Sequence, residues 1–228
     1  MARMAENKAM TTLNVQLSQS QITVAAQIHR QLPYWNAADE ALTLLARQVP
    51  GFSLPEAMLK VAAVNQLYGT NLLALTRMAK HISSELGRGS FEAGPILVER
   101  IACLPTPEGQ RARRHVSFAS KFCHFFVHRG SCPIFDSYAV DMLRLHLGHT
   151  RERDPKHPYR SFVKNSRALL TLANIAATGV ELDRYLWIRG AYERWRRKRE
   201  APVNVELKQF FVNATNRPQL AALVGNEK

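Results

Sequence analysis

Lys121 and Asp136 are the residues whose types and spacing point most directly to chemistry. They stand fifteen positions apart, one helix plus one loop, so a chain that folds back can bring an amine and a carboxylate to one cleft. The segment that holds them, residues 117–143, reads SFASKFCHFFVHRGSCPIFDSYAVDML. A short helix is expected to end near Phe118, with a tight turn at Ala119-Ser120 and a second helix opening at Lys121. A loop of Gly130, Ser131, Cys132 and Pro133 then leads to Asp136, at or just before the start of the next helix. A carboxylate there faces free backbone amides and the positive end of the helix dipole. D-S-Y-A is also a good capping sequence, so a purely structural role for Asp136 stays open.

Further side chains cluster around this pair. His124 and His128 follow Lys121 by three and seven residues, which places them on its face of the expected helix. They are candidates for a binding pocket, with packing as the plainer reading. Phe122, Phe125 and Phe126 read mainly as core, with Phe125 a candidate to stack on a ligand ring. Tyr138 is a further pocket candidate and Asp141 a supporting one. His124, His128 and Asp136 lack a recognised metal-ligand spacing, so no metal and no cofactor are expected.

The segment resembles the helix-hairpin-helix (HhH-GPD) DNA glycosylase superfamily, whose signature is a hairpin, a helix and a Pro-containing loop leading to an aspartate. Lys121 matches the lysine that opens the helix in lyase-competent members, Pro133 falls in the loop, and Asp136 matches the aspartate. S-K-F-C-H-F-F followed by P-I-F-D-S is similar to a bacterial branch with anti-phage members that excise glucosylated hydroxymethylcytosine. Upstream, VAAVNQLYGTNLLALTRMAK (residues 61–80) resembles the helix–loop–helix that drives a wedge residue into the DNA minor groove, with Tyr68 or Gln66 in the wedge position. Where the family's hairpin carries glycines, this chain reads His115-Val116-Ser117-Phe118-Ala119-Ser120.

The resemblance implies a base-excising enzyme acting on double-stranded DNA. Breaking an N-glycosidic bond builds positive charge on the sugar, which Asp136 would stabilise. Lys121 would either attack the sugar carbon as a Schiff-base nucleophile, giving lyase activity, or hold water or phosphate so that an abasic site is the product. The target base must leave the duplex first. Arg111, Arg113 and Arg114, with Ser117 and Ser120 of the hairpin, are the candidate phosphate contacts. A non-enzymatic, basic, helical DNA-binding protein is the alternative.

The bulk composition fits a polyanionic partner. The formal charge is +13 and the pI about 10.2, an excess that self-repels unless something neutralises it. Arginines of the 184–199 stretch, beside Tyr185, Trp187, Tyr192 and Trp195, read equally as a solvated face or a phosphate-binding face. Three cysteines without a CxxC give no support to a disulfide scaffold, a zinc site or a four-cysteine cluster; buried free thiols in a reducing cytoplasm are expected. No apolar run is long enough to span a membrane, and the opening residues carry no apolar signal core. The oligomeric state is not legible.

The elements that must position the site are all helices. Ser53-Leu54-Pro55-Glu56 reads as a capping box, followed by apolar residues at helical spacing through Val64 and a break at Leu67–Thr70. Leu72, Leu75, Met78, Ala79 and Ile82 mark the next helix, with Gly87 as its stop. Asn36 is expected to cap a helix carrying Ala38, Leu42, Leu45 and Val49. Later helices are expected near 94–104, 110–118, 121–128, 137–147, 161–178, 182–199 and 203–213, with 149–160 a loop. Strand alternation is nowhere sustained, which also argues against a sheet-based RNA-binding module. The expected fold is all-α: a single glycosylase-like domain of two lobes, about residues 50–148 and about residues 13–49 plus 159–228, with a helix-hairpin-helix-like motif and an interlobe cleft.

Overall fold

A computed structural model describes residues 12–87, 92–105, 113–129, 132–198 and 203–225. Among these residues the chain is all helix, with no strand. Arg111, the Gly130-Ser131 pair, Arg199 and the opening residues 1–11 lie outside the described residues. The chain divides into two compact units: Met1–Ile28 with Ser137–Asp154 and Ser161–Lys228, and His29–Asp136 with Pro155–Arg160.

The second unit holds α2 (Pro33–Gln48), α3 (Leu54–Tyr68), α4 (Leu75–Leu86), α5 (Pro95–Ala102) and α6 (Val116–Phe126). The helix before them is α1 (Gln19–Arg30), whose last turn enters this unit. Helix α3 starts as its sequence requires: the Glu56 carboxylate accepts the Ser53 amide at 2.7 Å. It ends at Gly69, which adopts the left-handed conformation (φ +54°) that closes a helix C-terminus. Asn36 is not a cap. Helix α2 begins at Pro33, and the Asn36 side chain reaches back to the carbonyls of His29 and Leu32 at 3.1 and 3.0 Å.

Helix α6 is the centre of this unit, packed by α2, α3 and α5. Val116 and every residue from Phe118 to Phe125 are buried, including Ser120, Lys121 and His124. Ser117, Ser120, Lys121 and His124 recur at helical spacing along α6, but this polar stripe faces neighbouring elements more than solvent. Ala119 and Ser120 lie inside one continuous helix from Val116 to Phe126, not in a hairpin turn. The helix ends before His128, so His128 does not share a helical face with Lys121.

The first unit is organised by α7 (Ser137–Leu147) lying on α9 (Gly179–Arg197), with α8 (Pro158–Ala173) from Ser161 on, α10 (Val205–Val212) and α11 (Arg217–Val224) completing it. Gly190 permits the α7–α9 contact: a Cβ there would meet the Tyr138 carbonyl oxygen at 2.6 Å. The buried His146 ring lies between the Val15 carbonyl at 2.8 Å and the Tyr185 hydroxyl at 2.9 Å. Leu182, Tyr185, Ile188 and Trp195 are buried as their spacing suggested, and Arg189 is buried with them in an ion pair to Glu193. Unit boundaries fall at 28/29 and 136/137, and residues 155–160 return to the second unit. The reason is packing: α2 lies on α3 and α6, and α7 lies on α9.

Candidate functional site

The loop 132–135 is the seat on which Asp136 stands, and buried side chains grip its backbone at nearly every residue. The Cys132 amide donates to the His128 carbonyl at 3.1 Å, and the Cys132 carbonyl lies 2.9 Å from Nδ1 of the buried His124. The Pro133 carbonyl accepts the hydroxyl of Tyr159 at 2.8 Å. The Phe135 amide donates to Ser120 Oγ at 3.0 Å, and that hydroxyl lies 3.5 Å from the Phe135 carbonyl and 3.1 Å from the Ser117 carbonyl. Tyr159 and Ser120 are fully buried. Such an arrangement fixes a loop as firmly as a secondary-structure element would.

Each gripping residue is itself positioned. His124 and Ser120 sit on the central helix α6. Tyr159 is held where α8 begins, because the buried Glu99 carboxylate accepts the amides of Tyr159 and Arg160 at 2.7 and 3.3 Å. A carboxylate satisfying free amides in a first helical turn is the favourable arrangement at that end of the dipole.

The contact between Ser120 and Phe135 has a direct consequence for the candidate pair. One residue on from each partner stand Lys121 and Asp136, so the backbone positions of the amine and the carboxylate are neighbours despite their separation in sequence. Asp136 is half-buried and immediately precedes α7. Lys121 is buried, and its Nζ donates to Ser117 Oγ at 2.8 Å one turn earlier. Ser117 therefore engages the lysine. Ser120 is committed to the loop and buried, so it cannot contact a phosphate.

The remaining expected residues divide by exposure. Arg113 is exposed; Arg114 is tied to the Lys156 carbonyl and, at 3.4 Å, to Glu99. The positive potential near the start of α6 registers on His115: burial first, then Arg113 and Arg77, lower its pKa. His128 is exposed and Phe125 buried, with the His124 ring edge-on to Phe125 at 4.9 Å. Tyr138 lies under the Arg194 guanidinium at 4.3 Å, and Arg194 also bonds Asp141 at 2.8 Å. In α9 the buried Arg189 is spoken for, while Arg196, Arg197 and Lys198 are exposed at the C-terminal end.

Of the two wedge candidates, Gln66 is exposed, but Tyr68 is held in place. Its hydroxyl donates to Asp39 at 2.5 Å and its ring meets Trp35 and Phe125 at 5.2 and 5.4 Å. The projecting apolar residue is instead Leu73, 94% exposed in the loop between α3 and α4. Below it the loop is clamped: Asn65 Oδ1 accepts the Thr70 hydroxyl at 2.7 Å and the Leu72 amide at 2.8 Å, and Leu72 is buried. Asn71 and Gly69 take positive φ to make the turn. The tandem Leu72-Leu73 just after Tyr-Gly-Thr-Asn was the available sequence signal, but only geometry shows which leucine faces out.

One more residue, Lys60, escaped sequence reasoning, and two cysteines met their expectation. Lys60 is buried, its ammonium donating to the Gly51 carbonyl at 2.6 Å and lying 4.0 Å from the Phe52 ring. Burial pushes its pKa down to about 8. Cys123 and Cys132 are buried free thiols in mutual hydrogen-bond contact, and burial raises the Cys123 pKa well above the usual thiol value. Cys103, also expected to be buried, is exposed. Among the described residues no cluster of His, Cys, Asp and Glu could hold a metal ion, and no helix is long and apolar enough to cross a membrane.

No curated protein and no solved structure matches the chain. A family model, HI_0787_N, described as an N-terminal domain, matches residues 17–130. The matched half runs from α1 through α6, includes Lys121, and stops before Asp136. The chain therefore belongs to the HI_0787_N family.

Proposed function

We propose that this chain is a DNA glycosylase that everts a modified base from duplex DNA and cleaves its N-glycosidic bond at Asp136, leaving an abasic site. The observation that carries the reading is the gripped seat beneath Asp136, whose Ser120–Phe135 contact makes the backbone positions of Asp136 and Lys121 neighbours. Cleavage breaks the bond between the sugar carbon and the base nitrogen. The carboxylate stabilises the positive charge left on the sugar, and its worth depends on being held in place beforehand. Water then adds to the sugar carbon. Lys121 takes that role only if its amine leaves Ser117, which would give a Schiff base and strand cleavage.

The charge distribution supports a DNA partner. Arg77, Arg113 and the start of α6 together offer positive charge and free amides to a phosphate. Leu73 supplies an apolar side chain on a stiff loop, the kind of group that fills the gap left by an everted base. By the resemblance of S-K-F-C-H-F-F and P-I-F-D-S to the anti-phage branch, the substrate proposed is glucosylated hydroxymethylcytosine in phage DNA.

The test is incubation with duplexes carrying several modified bases, glucosylated hydroxymethylcytosine among them, followed by alkali to reveal abasic sites. Asp136→Asn should abolish base release and leave DNA affinity nearly unchanged. Trapping by borohydride would assign the Schiff base to Lys121. The second reading, a DNA-binding protein without chemistry, draws on one observation: α6 runs unbroken through the positions of the family's hairpin. It gains if the wild-type protein binds duplex DNA and releases no base from any of these substrates.

A further inference from the structure

We propose that Tyr34, Trp35 and Arg129 form a stacking site for one unpaired nucleobase and its phosphate, a role that rests on the nucleic-acid reading above. Four aromatic rings from three helices make a continuous row in the second unit. Phe125 of α6 meets Tyr68 at 5.4 Å, Tyr68 meets Trp35 at 5.2 Å, and Trp35 meets Tyr34 edge-on at 5.7 Å. The inner end is buried core; the outer end is not. Trp35 is half-buried, and Tyr34, in the first turn of α2, is 50% exposed. The row runs from solvent inward to Phe125, one helical turn beyond Lys121.

The charges beside the row select the ligand. Aromatic rings next to a carboxylate ordinarily suggest a cage for a cation. Here Asp39 is already occupied on both oxygens, by the Tyr68 hydroxyl at 2.5 Å and by Arg129 at 3.1 Å. Arg129 shares that contact through Nη2, so what it presents to a ligand is the remaining edge of its guanidinium. Its guanidinium lies 5.5 Å from the Phe125 ring centre and its side chain is 38% exposed. An exposed ring and a half-buried one beside a partly exposed guanidinium, on a chain with a formal charge of +13, fit a flat heterocycle carrying a phosphate. Every nucleobase has a face to stack, so the site does not depend on sequence.

The experiment measures binding, not turnover. A short fluorescein-labelled oligothymidine strand is titrated by anisotropy, with protein tryptophan emission recorded alongside. Tyr34→Ala should weaken single-strand binding roughly 5- to 150-fold, the worth of one stacked base, while Tyr34→Phe binds like wild type. The ligand-dependent change in emission should disappear in Trp35→Phe. Equal binding by wild type and Tyr34→Ala would overturn the proposal. So would a Trp35-dependent response to tetramethylammonium with none to the strand, since the site would then be a cation cage. Tyr34-dependent binding in a protein that excises no base would sink the glycosylase reading alone. Base release with Tyr34→Ala binding unchanged would sink the stacking site alone.

Discussion

Replacing Ser120 by alanine tests the seat beneath Asp136 at its tightest point. The substitution removes one buried oxygen and adds no bulk. It withdraws the acceptor that the Phe135 amide uses at 3.0 Å; the 3.5 Å approach to the Phe135 carbonyl is too long to count for much. The Ser117 carbonyl keeps its place in the helix, so its loss is minor. Removing one partner of a buried neutral hydrogen bond costs about 1–3 kcal/mol, set mainly by desolvation of the group left behind. In a chain of this size that lowers the melting temperature by about 2–4 °C per kcal/mol. On the proposed glycosylase reading, base release should fall further than the loss of folded protein explains. A displacement on the order of 1 Å at a catalytic group can cost about 100-fold. Scanning calorimetry and a single-turnover base-release assay on the same preparations measure the two effects. Tyr159→Phe, which frees the Pro133 carbonyl of the same loop, should couple to Ser120→Ala non-additively. An unchanged melting temperature in Ser120→Ala would refute the claim that this hydroxyl holds the loop. Lost stability with unchanged base release would refute the claim that the loop positions Asp136.

Two further predictions address other parts of the second unit. Leu73→Ala should leave the melting temperature within experimental error, because the side chain is 94% exposed, yet reduce base release from duplex DNA; equal activity on duplex substrates would remove Leu73 as the wedge. Lys60 binds a proton more weakly in the folded chain, at a pKa of about 8, than in the unfolded chain at 10.5. Between those values the unfolded state holds more protons, so this group makes stability rise with pH across that window. Chemical denaturation at several pH values should show that rise in the wild type and its absence in Lys60→Met.

The all-helical class, the capping box at Ser53, the end of α3 at Gly69 and the core spacing of α9 were legible in the sequence, because each is a local signal. Turn residues, caps and periodic apolar positions act within a few residues of themselves. The types and spacing of Lys121, Pro133 and Asp136 were equally plain. Tertiary structure decided that Ala119 and Ser120 lie within a helix, since the polar face of α6 is turned inward and Ser120 is spent on a loop fifteen residues away. It alone decided that Tyr68 is locked to Asp39 while Leu73 projects, and that α2 joins the unit of α6 while α7 lies on α9. It alone revealed that Ser120, His124 and Tyr159 converge on one short loop. Those bonds join residues far apart in the chain, and such pairings are fixed by packing, which no local pattern of residue types encodes.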